Sequence, residues 1–459
     1  MLALGALLCA ASLAHAQPAP AAPPADQASG IAIEEPEPLG ERLRWIPRAV
    51  LFVPRWAFWL LVQPVRAGGW AYERFMLRDR VKGALFNVDQ TYGVYPVAGY
   101  SSDYGVSVGV RAVHYNVLGN RERLKLLVDF GGQFRQAVGL QLSTGRRVAD
   151  RFSAWLDVRF ERRPGERFFG IGNDSELETP PPTLIDPATS ETAVASRFRE
   201  QITRFKATLD ATLLGPFTAR ASGALALREF GTEPDDLTPI GSRYDTSRLV
   251  GWKSGVENIY VEGELIYDTR RPTSQFQTQA IDATGWYVAL HAGRAKGIRD
   301  DPTAYTRYGG EVQRYFDLYR GSRVLALRLL VDGIVGSDGR TDGKISFIDL
   351  PRLGGPEHLR GYPADRFRDR TVTLATAEYT WDLGNYLAGY LFVDAGRAWK
   401  HLGRVELDSL HVGFGGGVQV HSYRSFVMRG QLALSRDGDA FVELVLAPAF
   451  GRRERAGRY

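Results

Sequence analysis

The sequence predicts an all-β fold: a 16-stranded antiparallel transmembrane β-barrel preceded by a short amphipathic helical segment. Three observations predict it. First, the 459 residues are 44% hydrophobic and 24% charged. No run of 18 apolar residues exists to form a spanning helix, and apolar residues are too many for a disordered chain. Second, from residue 83 to 450 helical periodicity gives way to period two. Third, the connections between alternating segments are short and long in turn, as in barrels with tight turns on one side of a membrane and loops on the other.

The elements follow in order. Residues 1–16 carry an apolar run from Leu2 to Leu13 and a small-x-small site at Ala14-His15-Ala16, the pattern of a signal peptide, although no Lys or Arg precedes the run. The only cysteine, Cys9, lies in it, so the mature chain would hold no thiol for disulfide, metal or nucleophile. Residues 17–41, rich in Pro and Ala, read as a disordered linker. Residues 42–82 hold four of the nine tryptophans, Trp45, Trp56, Trp59 and Trp70, interleaved with Arg48, Arg55 and Arg66 and divided by Pro47, Pro54 and Pro64. Short amphipathic helical pieces at a membrane interface suit that pattern; packing against or inside the barrel is the alternative.

Within 83–450, Phe152, Ala154, Leu156, Val158 and Phe160 share one face, against Arg151, Ser153, Asp157, Arg159 and Glu161. Phe205, Ala207, Leu209, Ala211 and Leu213 likewise oppose Arg204, Lys206, Thr208, Asp210 and Thr212. Sixteen strands are read, near 91–98, 103–117, 121–133, 135–146, 150–162, 196–212, 215–229, 257–269, 283–296, 302–317, 321–335, 369–382, 386–398, 407–421, 424–435 and 438–450. Turns such as Leu118-Gly119-Asn120, Leu214-Gly215-Pro216 and Leu383-Gly384-Asn385 alternate with long loops at 163–195, 230–256 and 336–368; the turn at 270–282 is longer than its kind. Residues 451–459 form a basic tail. Pro96 and Pro448 fall in the terminal strands and no other assigned strand has an interior proline, which points to a weakly bonded seam where the barrel closes.

Two motifs resemble signatures of the bacterial surface antigen family, the superfamily of outer-membrane assembly and translocation barrels that includes BamA and TamA. One is Leu359-Arg360-Gly361-Tyr362 in the sixth outer loop; the other is the Phe392-x-Asp394-x-Gly396 run of the thirteenth strand. The segment Phe169-Gly170-Ile171-Gly172-Asn173 is similar to a further recurring piece. The resemblance implies that the loop folds into the lumen and that Arg360 pairs with Asp394, with Glu378 as a second acidic partner. Parity agrees: Asp394, Tyr390 and Phe392 share one face, Leu391 and Val393 the lipid-facing one. The pattern departs from the family in leaving no room for polypeptide-transport repeats before the barrel, so a member consisting of the barrel alone is expected.

Charge and motifs narrow the function. The net charge of +5 is spread through mixed-sign segments, so no nucleic-acid partner is expected. No G-x-S-x-G, H-E-x-x-H or Walker loop occurs, and no catalytic residue, metal or cofactor is assigned. Ser409 with His411 is the nearest approach to a lipase pair, and residues 337–343 only faintly resemble a calcium loop. The favoured expectation is an integral outer-membrane barrel, monomeric and surrounded by outer-membrane lipids and lipopolysaccharide. It would assist insertion or translocation of client outer-membrane or secreted proteins through its seam; a passive pore is the alternative, and a lipid-modifying enzyme the third reading.

Overall fold

Period-two alternation over strands of up to 17 residues gives each strand one apolar and one polar face, and antiparallel pairing joins them into a single wall. The computed structural model describes residues 83–445 except 102–103, 145–150, 174–194, 234–237, 273–280, 338–344, 385, 407–408 and 422–425, together with Gln63, Arg74 and Arg80. The expected signal, linker and basic tail lie outside these residues. So does the expected helical segment 42–82, save those three positions, each of which is helical.

The described residues form sixteen long strands: β1 Tyr92–Ser101, β2 Gly105–His114, β3 Arg123–Gly131, β4 Phe134–Ser143, β5 Phe152–Phe168, β6 Ser196–Thr212, β7 Phe217–Gly231, β8 Val256–Asp268, β9 Asp282–Gly297, β10 Ala304–Asp317, β11 Arg323–Gly336, β12 Thr371–Asp382, β13 Leu387–Trp399, β14 His411–His421, β15 Phe426–Ser435 and β16 Ala440–Val445. Each pairs antiparallel with its neighbours in sequence. A two-residue stretch, Arg271–Pro272, adds to the edge of β9. Strands β1 and β16 come within 8 Å between Cα atoms, and the described residues form no ladder between them.

The strands' faces are inverted relative to a water-soluble protein. Leu156, Phe205, Val261, Leu265, Leu391 and Val393 are exposed, whereas Glu161, Arg228, Glu262, Arg307, Arg328, Glu378 and Asp394 are buried. Apolar residues facing lipid and charged residues filling the lumen produce this distribution. Burying charges is tolerated because they are paired: Arg307 with Asp332 at 2.9 Å, Arg328 with Glu311 at 2.6 Å and Arg204 with Asp157 at 3.2 Å.

Two expectations need correction. Strand β5 does not end at residue 162 but continues to Phe168, so the loop after it is shorter. It passes through Pro164 at a register shift between Arg163 and Glu166, a bulge that accommodates the missing donor. An interior proline is therefore not confined to the terminal strands. Pro96 sits in β1 opposite Val110; Pro448 lies outside the described residues.

Candidate functional site: a loop anchored in the lumen

The connection from β11 to β12 turns into the barrel. A short hairpin of Arg352–Leu353 with Phe367–Arg368 narrows its base, and residues 354–366 form its tip. The tip bends sharply because two consecutive odd positions are left-handed, Leu359 at φ +60° and Gly361 at φ +88°. Glycine adopts that conformation without cost, and leucine does not. Leu359 is held there by burial among Leu353, Tyr362, Phe367, Val372, Leu374 and Ala398.

This bend aims Arg360 at the wall. Its Nε and Nη2 donate to the two carboxylate oxygens of Asp394 at 2.7 and 2.8 Å, and its backbone N–H donates to Oδ2 at 2.9 Å. Its Nη1 donates to Glu378 Oε2 at 2.8 Å. The acids stand on neighbouring strands in diagonal register, Thr376 opposite Asp394 and Glu378 opposite Phe392, so one planar guanidinium spans both. Arg429 of β15 completes the charge balance by donating to Glu378 Oε1 at 2.9 Å. Each guanidinium also lies over an aromatic ring of β13, Arg360 at 3.6 Å from the Phe392 centroid and Arg429 at 3.8 Å from that of Tyr390.

The backbone of the tip lies directly on the wall. A Cβ at Gly361 would be 2.5 Å from the Leu434 carbonyl oxygen, and one at Gly413 would fall on the carbonyl oxygen of Arg360. Tyr362 donates its hydroxyl to the Val412 carbonyl at 3.3 Å and packs on Phe367. Gly396 leaves the slot that the Leu353 side chain enters. The eight positions singled out in the two motifs and as acidic partners, Leu359, Arg360, Gly361, Tyr362, Glu378, Phe392, Asp394 and Gly396, thus meet at one place. Pro96 does not join them, being exposed on β1.

Further anchors hold the base of the loop and reach its tip. Asp349 accepts from Arg228 at 2.6 Å, and Arg328 reaches the Glu357 carbonyl at 3.3 Å. Arg368 stacks on Phe168 at 4.9 Å and donates to the carbonyls of Phe347 and Arg167. Burial lowers its guanidinium pKa to about 10, which leaves it charged at neutral pH. Gly172 N–H donates to the Arg368 carbonyl at 2.7 Å. The Asn173 side chain bridges both backbone groups of Ala398 at 2.7 and 3.0 Å, so the Phe169–Asn173 motif clasps the loop to β13.

Sequence reasoning missed Arg429, Asp349 and Gly413. The two charged residues carry no local signal, since only the fold brings them to the loop. Gly413 did carry one, in the run Gly413-Phe414-Gly415-Gly416-Gly417, because repeated inward glycines in a strand mark close approach of other backbone or rings. His411, considered with Ser409 as a lipase pair, stacks on Phe367 at 4.1 Å and so serves the packing of the loop. Residues 338–343 of the calcium-like segment lie outside the described residues.

The family model described as the Omp85 superfamily domain matches residues 116–423. Among solved structures, BamA from Haemophilus ducreyi, in a form lacking POTRA domains 1–3, is similar with a TM-score of 0.55 and 12% identity, over 77% of this chain and 69% of that one. CdiB from Acinetobacter baumannii matches with a TM-score of 0.46 and 10% identity, over 77% of this chain and 59% of that one. CdiB from Escherichia coli gives 0.45 and 11%, over 77% and 61%. Among curated proteins no sequence matches.

Proposed function

The chain belongs to the Omp85 superfamily and is an integral outer-membrane β-barrel of the assembly and translocation type; from that premise we propose that it assists insertion or translocation of proteins across the seam between β1 and β16. The observation that carries this reading is the sixth loop, held in the lumen by Arg360 on Asp394 and Glu378. A barrel built only to conduct has no use for a tip pinned by three charge-assisted hydrogen bonds from one side chain. A barrel that must open at one edge needs the rest of its wall held rigid, and the loop braces β12 to β15. The edge strands support the reading by their position, since they approach each other. Exposed strand edges are where an incoming strand can pair by β-augmentation.

In this proposal the partners are unfolded outer-membrane or secreted chains, the barrel works as a monomer, and no bond is made or broken, in keeping with a family of non-enzymatic barrels. The test is deletion of the gene followed by outer-membrane proteomics, with complementation by a barrel whose β1 and β16 are joined by an engineered disulfide. Loss of a defined set of outer-membrane or secreted proteins, restored by the open barrel and not by the locked one, is expected. An unchanged proteome, or full rescue by the locked barrel, overturns the proposal.

A further inference from the structure

The outward face of the wall is apolar through its middle, but among the described residues its outer rim carries exposed cations on β4 to β9. On β9 the outward series Leu290, Ala292, Arg294, Lys296 passes from lipid-exposed leucine to two successive exposed cations. They are flanked in register by Val261 and Ile259 of β8, both exposed apolar residues. Two residues along a strand place the charges about 7 Å apart on one surface. Among the described residues neither has an acidic side chain within ion-pair distance. Of the nearby acids, Glu257 is clasped by Arg299 at 2.9 and 2.7 Å, and Asp301, in the turn after β9 with Asp300, accepts from the Glu257 and Thr303 N–H groups.

The rim at β4 to β7 repeats the imbalance. One carboxylate, Glu233, faces Arg162 at 2.8 Å, Arg135 at 3.3 Å and Arg199 at 3.7 Å. The hydrogen bond from Arg162 holds the Glu233 carboxyl below the usual range, and among the described residues three guanidinium groups meet this one carboxylate.

Cations that border hydrocarbon are costly unless an anion meets them. This end of the barrel carries the long loops and so faces the outer leaflet, whose glycolipid bears phosphates. Guanidinium binds phosphate through paired hydrogen bonds, and ammonium binds it as a point charge. We propose that this arc of the outer rim is a glycolipid phosphate site, with Arg294 and Lys296 clamping one lipid A phosphate and the Arg135, Arg162 and Arg199 group holding another. Lipopolysaccharide is then seated on one side of the barrel, on the wall formed by β4 to β9. The inference rests on the outer-membrane location alone and not on the client reading.

The experiment uses the full-length barrel in mild detergent, with bisphosphorylated lipid A, phosphate-free lipid A and phosphatidylglycerol as probes, read by native mass spectrometry. Wild type is expected to retain bisphosphorylated lipid A and not the phosphate-free form. Arg294→Gln with Lys296→Gln should weaken retention by about thirtyfold, the usual contribution of two cations facing anionic lipid. Arg162→Gln with Arg199→Gln should weaken it separately. Unchanged heat-dependent gel migration shows that each variant folds. Equal binding by wild type and both variants, equal binding of phosphate-free lipid A, or equal retention of phosphatidylglycerol overturns the proposal. Because the readout is lipid alone, such a failure leaves the client reading untouched.

Discussion

Arg360 makes four hydrogen bonds to two buried acids and covers an aromatic ring, so removing it strips Asp394 of three of those bonds and leaves Glu378 to Arg429. Breaking a buried pair from one side costs roughly 3–5 kcal/mol. Arg360→Ala and Asp394→Ala are each expected to expose the sixth loop to protease added to intact cells, and the double variant should be little worse than either single. Additive effects would show that the two side chains do not act as one unit. Gly413→Ala makes a sharper test because it touches no charge. Its methyl group would meet the Arg360 carbonyl, so the tip must lift, at a cost of about 1–3 kcal/mol. Proteolysis of the loop should rise in Gly413→Ala, whereas Gly430→Ala, which has open space around its Cβ, should behave as wild type.

At the scale of elements, the clasp between the Phe169–Asn173 segment and β13 depends on a single amide that satisfies both backbone groups of Ala398. Asn173→Ala leaves those groups unpaired at a part-buried site, at about 1–3 kcal/mol. Faster hydrogen exchange at the outer end of β13, with β8 to β10 unchanged, is the expected outcome. The closing edge makes a second prediction. Cys9 is the only cysteine, and it falls within the expected signal peptide. Cysteine pairs stepped along β1 near Val94 and β16 near Leu444 should crosslink readily. Failure of every register to crosslink would mean that the two strands do not form the edge across which a client passes.

For the whole molecule, a wall whose backbone polar groups are bonded strand to strand resists detergent until heated. Unboiled protein is expected to run anomalously on a gel and to shift on boiling, and carbonate or high salt should not extract it. With the loop in place, planar bilayers should show small, irregular conductance, rising in Arg360→Ala as the tip leaves the lumen. Large steady conductance in the wild type would favour a passive pore.

All sixteen long strands were legible in the sequence because alternation is local: a residue's side follows from its parity, and membrane and lumen select opposite chemistries for the two sides. Parity alone already placed Leu391 and Val393 outside and Asp394 inside. The extension of β5 through Pro164 was not legible, because a bulge is fixed by the partner strand's register and not by the proline itself. The resemblance named Arg360, Asp394 and Glu378, and the chemistry of arginine and carboxylate made their pairing reasonable. Only the tertiary structure decided that Arg429 shares Glu378, that Asp349 meets Arg228 across 121 residues of chain, and that Gly413 must be bare for the loop to dock. Those facts depend on which strands close around the lumen and how deeply the loop enters it, and no pattern within a single strand encodes a distance between residues so far apart in sequence.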